Sequence, residues 1–247
     1  MKGRGAAALL AALALGAPAQ EPLRVWRLGG RDDRARPVGS LQKPFVAEAW
    51  ARAHPGQRPA ALTCGRESRC WLPTRHGRLE LARATALSCN AFYLELARAT
   101  PPELLAQVLR ERGFVVREPL SPPGGIGLMD SGEVAVTPQA LLRSYRELTS
   151  RPWSQGEPVR QELLRGLREA ALTGTAAGLG QRGYWAKTGT VPAVDGQPLA
   201  TSGWALALDD AGFAVLALLP RGTGRDAARE LGQLLPRLRA GGASGPP

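Results

Sequence analysis

The chain reads as one α+β domain, an antiparallel sheet flanked by terminal helices with an inserted helical lobe. Strand-like segments sit at both ends of the chain, Leu23–Leu28 near the start and three short apolar runs in the last third. Helical periodicity fills the middle. The last two strands are joined by Asp209-Asp210-Ala211-Gly212, a turn of hairpin composition. A sheet must cover its apolar faces, so the economical layout sets terminal helices on the sheet and an active cleft between sheet and helical lobe.

Taken in order, Lys2 and Arg4 precede an apolar run, Ala6–Leu15, followed by Gly16-Ala17-Pro18-Ala19. This pattern predicts a secretory signal over residues 1–19, cleaved after Ala19. The run has half of the about 20 apolar residues that span a bilayer, which disfavours an uncleaved anchor. A domain over 20–240 and a flexible tail over 241–247 are then expected, exported to the periplasm or cell envelope and soluble after cleavage. Leu23–Leu28 ends at Gly29-Gly30 and a charged turn. Gly39-Ser40 then opens an apolar segment through Trp50, with Ser40 at or beside a helix N-cap and Pro44 confined to the first turn.

Residues 55–78 are loop-like and contain Cys64 and Cys70, close enough to staple a loop in an oxidising compartment, with Cys89 left unpaired. Apolar residues at helical spacing predict a helix over Leu79–Ala99, and Pro102–Arg112 looks like a second one. Residues 119–127 are a proline and glycine break. Helices follow over Pro138–Leu148 and Val159–Leu172, then strands over Tyr184–Thr190, Ser202–Leu208 and Phe213–Leu219, and a helix over Arg225–Leu238. Gly178, Gly180 and Gly183 match a dinucleotide-binding spacing, but they precede a strand instead of opening a helix after one, so they read as a loop. His54 and His76 lack metal-ligand spacing with each other or with the cysteines and read as solvated or capping residues, and no metal or organic cofactor is implied.

With 44% apolar and 21% charged residues, the 247-residue chain has a globular balance and not a disordered one. Its net charge of +11 raises nucleic-acid binding, but the basic residues are scattered and only 5% of residues are aromatic. Loose attraction to acidic envelope polymers fits the charge better. Of the 32 basic residues, only Lys2, Lys43 and Lys187 are lysines. A retained lysine among arginines calls for its own chemical reason, since only lysine readily gives up its proton.

Ser40 and Lys43, three apart at a helix start, share one helix face. A desolvated lysine beside a serine can take its proton, and the helix N-terminus can stabilise a developing oxyanion. In order along the chain, Gly39-Ser40-Leu41-Gln42-Lys43-Pro44-Phe45, Ser88-Cys89-Asn90 and Lys187-Thr188-Gly189-Thr190 resemble the Ser-x-x-Lys, Ser-x-Asn and Lys-Thr-Gly motifs of penicillin-binding protein transpeptidase domains. Cys70-Trp71, His76-Gly77, Ala86–Tyr93, Val136–Gln139 with Tyr145, Gly174-Thr175-Ala176 and Gly203-Trp204 are similar to intervening segments of that family. The resemblance covers roughly residues 37–228.

The resemblance implies that Ser40 is the acylated nucleophile and Lys43 its base. Ser88 would relay protons, Asn90 would bind the substrate amide and help hold Lys43, and Lys187 would supply positive potential and hold Ser88. Thr188 and Thr190 would receive the substrate carboxylate, Gly189 would let substrate approach the strand, and the Ser40 and Thr190 N–H groups would form the oxyanion hole. It further implies a DD-transpeptidase or DD-carboxypeptidase acting on D-Ala-D-Ala stem peptides of peptidoglycan, with β-lactams as covalent ligands. A serine β-lactamase and a non-catalytic cell-wall or β-lactam sensor of the same fold are the alternatives. The sequence departs from the family in the short run before Ser40, which holds one strand where two are usual, and in the short loop over 191–201.

Overall fold

The structure, a computed structural model, describes residues 22–240 except 33, 67, 69, 129–131 and 194–199. The expected signal over 1–19 and tail over 241–247 lie outside the described residues. The first element is a short strand, β1 (Arg24–Arg27). A 3-10 turn over Gly39–Gln42 leads directly into α1 (Lys43–Ala53). Ser40 therefore lies in the turn ahead of the helix, whose N-cap is Gln42, and Pro44 falls in the first helical turn, where a missing N–H costs least.

A small ribbon, β2 (Leu62–Cys64) with β3 (Gly77–Leu79), precedes α2 (Leu81–Ala86) and α3 (Asn90–Arg98). The single helix expected across Leu79–Ala99 is broken in two. Ser88 has φ +52°, a left-handed conformation unusual for a side-chain-bearing residue, and the Cys89 N–H turns back to the carbonyl of Ala84 at 2.9 Å. Next come α4 (Pro102–Glu111), β4 (Phe114–Val116), a single turn α5 (Pro122–Gly125) inside the proline and glycine break, and β5 (Val134–Val136) paired with β4. The lobe ends with α6 (Pro138–Ser150) and α7 (Glu157–Leu172). The glycine-spaced segment forms a 3-10 turn and loop before β6, as expected.

The last third supplies β6 (Trp185–Pro192), β7 (Thr201–Leu208), β8 (Ala214–Leu219) and α8 (Gly224–Ala240). The sheet is antiparallel with strand order β1-β8-β7-β6. Trp204, Leu206 and Leu208 of β7 join the core formed with α1, whereas Ala205 and Ala207 pack with Ala227, Ala228 and Leu231 of α8. Side chains alternate faces along a strand, so a strand covered on both sides reads as a continuous apolar run. Alanine dominates the α8 side, which lets that helix sit close to the sheet.

Tyr145 of α6 is fully enclosed and donates its hydroxyl to the carbonyl of Leu41 at 2.6 Å, tying α6 to the turn that carries Ser40. Tyr145→Phe takes this donor away from the buried Leu41 carbonyl. The expected cost is about 1–3 kcal/mol, read as a lower denaturation midpoint with unchanged slope. An unchanged midpoint would mean that the carbonyl finds another donor.

Candidate active site

A cavity of about 570 Å³ opens between sheet and helical lobe. Its lining includes Ser40, Ser88, Asn90, Thr188, Gly189 and Thr190. Lys43 and Lys187 lie beneath it, each 0% exposed. The fold thus brings together all eight residues singled out in the sequence, from a 3-10 turn, two helix starts, a left-handed corner and one strand.

The two buried amines meet at one hydroxyl. Lys43 Nζ donates to Asn90 Oδ1 at 2.6 Å, to the Ser88 carbonyl at 2.9 Å and to Ser88 Oγ at 3.3 Å. Lys187 Nζ donates to Ser88 Oγ at 2.7 Å and to the Thr188 carbonyl at 2.9 Å. These partners are all neutral oxygens. Burial therefore lowers the Lys43 pKa to about 7, with the nearby Cys89 and Cys70 thiols opposing the fall. Lys187 is driven well below its ordinary value, first by burial and then by the charge of Lys43. A pair of amines sharing one hydroxyl without a counter-carboxylate favours having at least one of them neutral, as proton transfer requires.

Ser88 can reach both amines because of its left-handed backbone. The tight corner between α2 and α3 points its side chain at the lysines and lets Asn90 begin the next helix. Such strain is held by the surrounding packing and clusters at functional sites.

β6 forms the opposite wall. Gly39 has φ +57°, and a Cβ placed on it would lie 2.6 Å from the Thr190 carbonyl oxygen, so the turn bearing Ser40 rests directly on the strand. Gly189 was expected to admit substrate. A Cβ there would instead lie 2.2 Å from the Val38 carbonyl, so the space it leaves is taken by the protein's own turn. Thr188 Oγ1 donates to Thr175 Oγ1 at 2.7 Å, and Thr190 Oγ1 accepts from the Gly224 N–H at 3.0 Å, which leaves the Thr190 hydroxyl proton free to donate.

The cleft rim also includes Arg225 and Trp71, neither of them a candidate site residue from the sequence. Arg225 lies in the first turn of α8 with its guanidinium 4.9 Å from the centre of the Trp71 ring, and both line the cavity. Its only sequence signal is a basic residue in a first helical turn, where acidic residues are favoured.

Two expectations about cysteine and histidine need correction. Cys64, Cys70 and Cys89 are all free, so the Cys64–Cys70 staple is not formed. The ribbon and the α2–α3 corner instead bring Cys89 to 3.8 Å from Cys70, and His76 joins them. Contact with Cys89 pulls the Cys70 thiol below its ordinary range, while Cys70 and burial hold Cys89 above its own. His76 is thus neither solvated nor a helix cap. His54 is a capping residue, donating Nδ1 to the Trp50 carbonyl at 2.9 Å. Cys64, Cys70, His76 and Cys89 are the cluster among the described residues that could hold a metal ion.

No protein-family model and no curated protein sequence matches the chain. Solved structures do. Penicillin-binding protein 2 of Helicobacter pylori, solved as a complex with MreC, is 18% identical, with TM-score 0.66 over 85% of this chain and 50% of that one. The transpeptidase domain of Burkholderia pseudomallei penicillin-binding protein 3 is 14% identical, with TM-score 0.65 over 84% of this chain and 80% of that one. Pseudomonas aeruginosa penicillin-binding protein 2 is 18% identical, with TM-score 0.64 over 81% and 58%. The chain thus spans half to somewhat under two thirds of the two penicillin-binding proteins 2. At these identities the likeness is one of fold.

Proposed function

We propose that this chain, which has the fold of penicillin-binding protein transpeptidase domains, is a serine acyl-transferase or hydrolase acting on the D-Ala-D-Ala end of peptidoglycan stem peptides. The convergence of Lys43 and Lys187 on Ser88 Oγ, in the cavity that Ser40 also lines, carries the proposal. Neutral Lys43 takes the proton of Ser40 as Oγ bonds to the scissile carbonyl carbon. The oxyanion forms against the Ser40 and Thr190 N–H groups. Ser88 passes its proton to the departing D-Ala nitrogen and takes one from protonated Lys43, the C–N bond breaks, and an acyl-enzyme remains. An amine or water then attacks the ester carbonyl and gives its proton to Lys43, the ester C–O bond breaks, and Ser40 Oγ takes that proton back from Lys43. Thr190, with its free hydroxyl proton, and the amine of Lys187 provide the positive, hydrogen-bonding surface that the terminal carboxylate needs. This activity requires export, for which the signal-like segment 1–19 is the motivating feature.

Intact-mass spectrometry after incubation with a penicillin tests the proposal. Wild type should gain the mass of one penicillin and hold it, and Ser40→Ala should gain none. Rapid antibiotic hydrolysis without a persisting adduct would point to a β-lactamase. No adduct and no hydrolysis with any β-lactam would sink both enzyme readings and leave a non-catalytic chain.

The pH dependence follows from the Lys43 amine. The active form is the neutral base, populated above a pKa of about 7. Acylation should climb about tenfold per pH unit below that value and level off above it. Rates of covalent penicillin labelling across the neutral range check this, and a flat profile would remove Lys43 from the role of base.

A further inference from the structure

We propose that Arg225, seated on the ring of Trp71, is a specificity-determining residue that favours substrates carrying a second carboxylate on the acyl-donor side, in addition to the terminal one. The inference rests on the acyl-transfer reading given above. Among the described residues that line the cavity, Arg225 is the only arginine, lysine or carboxylate. Its guanidinium stands 4.9 Å from the centre of the Trp71 ring and has neither an ion pair nor a hydrogen bond among the described residues. The neighbouring Asp226 is not its counter-ion. That carboxylate accepts from the Thr223 N–H at 2.9 Å and the Thr223 hydroxyl at 2.7 Å, and it pairs with Arg229 at 2.8 Å. A cation left unpaired at the mouth of a reaction cleft is available to an anion on the ligand, and a guanidinium can hold both oxygens of a carboxylate.

The pair joins the two walls of the cleft. Trp71 belongs to the loop between β2 and β3, and its Nε1–H donates to the Leu87 carbonyl at 3.2 Å, one residue before Ser88. Its ring also meets His76 edge to face, with centroids 5.5 Å apart. The indole is therefore held in place although 40% exposed. Arg225 comes from the other wall, in the first turn of α8, next to Gly224, whose N–H is given to Thr190 Oγ1. An arginine parked on a fixed aromatic face has less side-chain freedom left to lose when it binds, and its N–H groups stay free for a ligand.

The terminal carboxylate has other receptors, the Thr190 hydroxyl on β6 and the Lys187 amine beneath it. Lys43 and Lys187 are each 0% exposed, so neither can follow a substituent out of the cleft. Arg225 is exposed and turned to Trp71, beside the Ser88 corner. It meets a group that passes between the walls towards solvent, which is the path left to a side group of the acyl donor. Partial exposure screens the attraction, so the expected preference is about fivefold to tenfold and not larger.

Benzylpenicillin and carbenicillin share the ring carboxylate and differ by one carboxylate on the side chain, which isolates the second charge. The ratio of their second-order acylation rates, carbenicillin over benzylpenicillin, should fall about fivefold to tenfold from wild type to Arg225→Gln, and further in Arg225→Glu. The contact that either substitution removes is the one with Trp71, so both variants should fold. A ratio that moves less than twofold in both variants overturns the proposal. Equal slowing of the two penicillins is such a result and would place Arg225 on the carboxylate they share. Should wild type be acylated by neither compound, calorimetric titration of Ser40→Ala with each, with and without Arg225→Gln, decides in its place. A dissociation-constant ratio that shifts by the same factor would retain the Arg225 site while the acyl-transfer reading falls. No shift, or no binding of either compound, overturns both.

Discussion

Lys43→Arg is expected to slow acylation of Ser40 by about a thousandfold or more, while the protein keeps its positive charge at that position. General-base catalysis accounts for about 10²–10⁴ in rate, and a guanidinium remains protonated at any working pH. The site is also shaped for an amine. Nζ makes three contacts inside 3.3 Å within a fully enclosed pocket, which a planar five-donor group cannot reproduce. Two buried groups that already repel one another would then carry at least one permanent charge, so a lower melting temperature should accompany the loss. Single-turnover labelling with a reporter penicillin, with circular dichroism as a check on folding, measures both. A folded variant acylating within tenfold of wild type would show that Lys43 is not the base.

Gly39→Ala should have the second largest effect, through geometry alone. The position has φ +57°, and the added methyl would stand 2.6 Å from the Thr190 oxygen and 3.2 Å from the Thr190 nitrogen. A left-handed conformation costs a non-glycine residue about 1–2 kcal/mol. The clash is with backbone that pairs in the sheet, so no flexible side chain can relieve it. Destabilisation of about 3 kcal/mol would lower the melting temperature by about 6–12 °C in a domain of this size. Lifting the turn off β6 also moves Ser40 relative to the Thr190 N–H, and a displacement of about 1 Å can cost about a hundredfold in rate. Calorimetry and acylation rates should change together. An unaltered melt with an unaltered rate would mean that the turn is free to shift.

Much of this architecture is legible in the sequence because local and global signals agree. β7 and β8 announce themselves as apolar runs around an Asp-Gly turn, and α6 and α7 as amphipathic periods with proline at the start. The break between α2 and α3 is not legible, because apolar residues continue across it at Ala86, Leu87 and Phe92. What interrupts the helix is the left-handed Ser88 and the return of the Cys89 N–H to Ala84, a preference no local propensity announces. The same limit explains the cysteines. Nearness in sequence singled out Cys64 with Cys70, whereas the β2–β3 pairing and that corner carry Cys89 and His76 in from farther along the chain. The ribbons themselves are three residues long and fixed by cross-chain register such as Leu62↔Leu79, too short for alternation to show. The eight candidate site residues were legible because their motifs carry chemistry, while Arg225 and Trp71, which meet only across the cleft, were not.

The enclosure of both described lysines gives the chain an unusual chemical fingerprint. Every other basic side chain among the described residues that is not histidine is an arginine, and Lys43 and Lys187 are each 0% exposed. Amine-directed acylating reagents should therefore leave both side chains untouched in the closed molecule. Any modification they suffer must pass through an opened cleft, so its rate would clock breathing of the two lobes, read peptide by peptide at two positions that sit where the chemistry is proposed to occur.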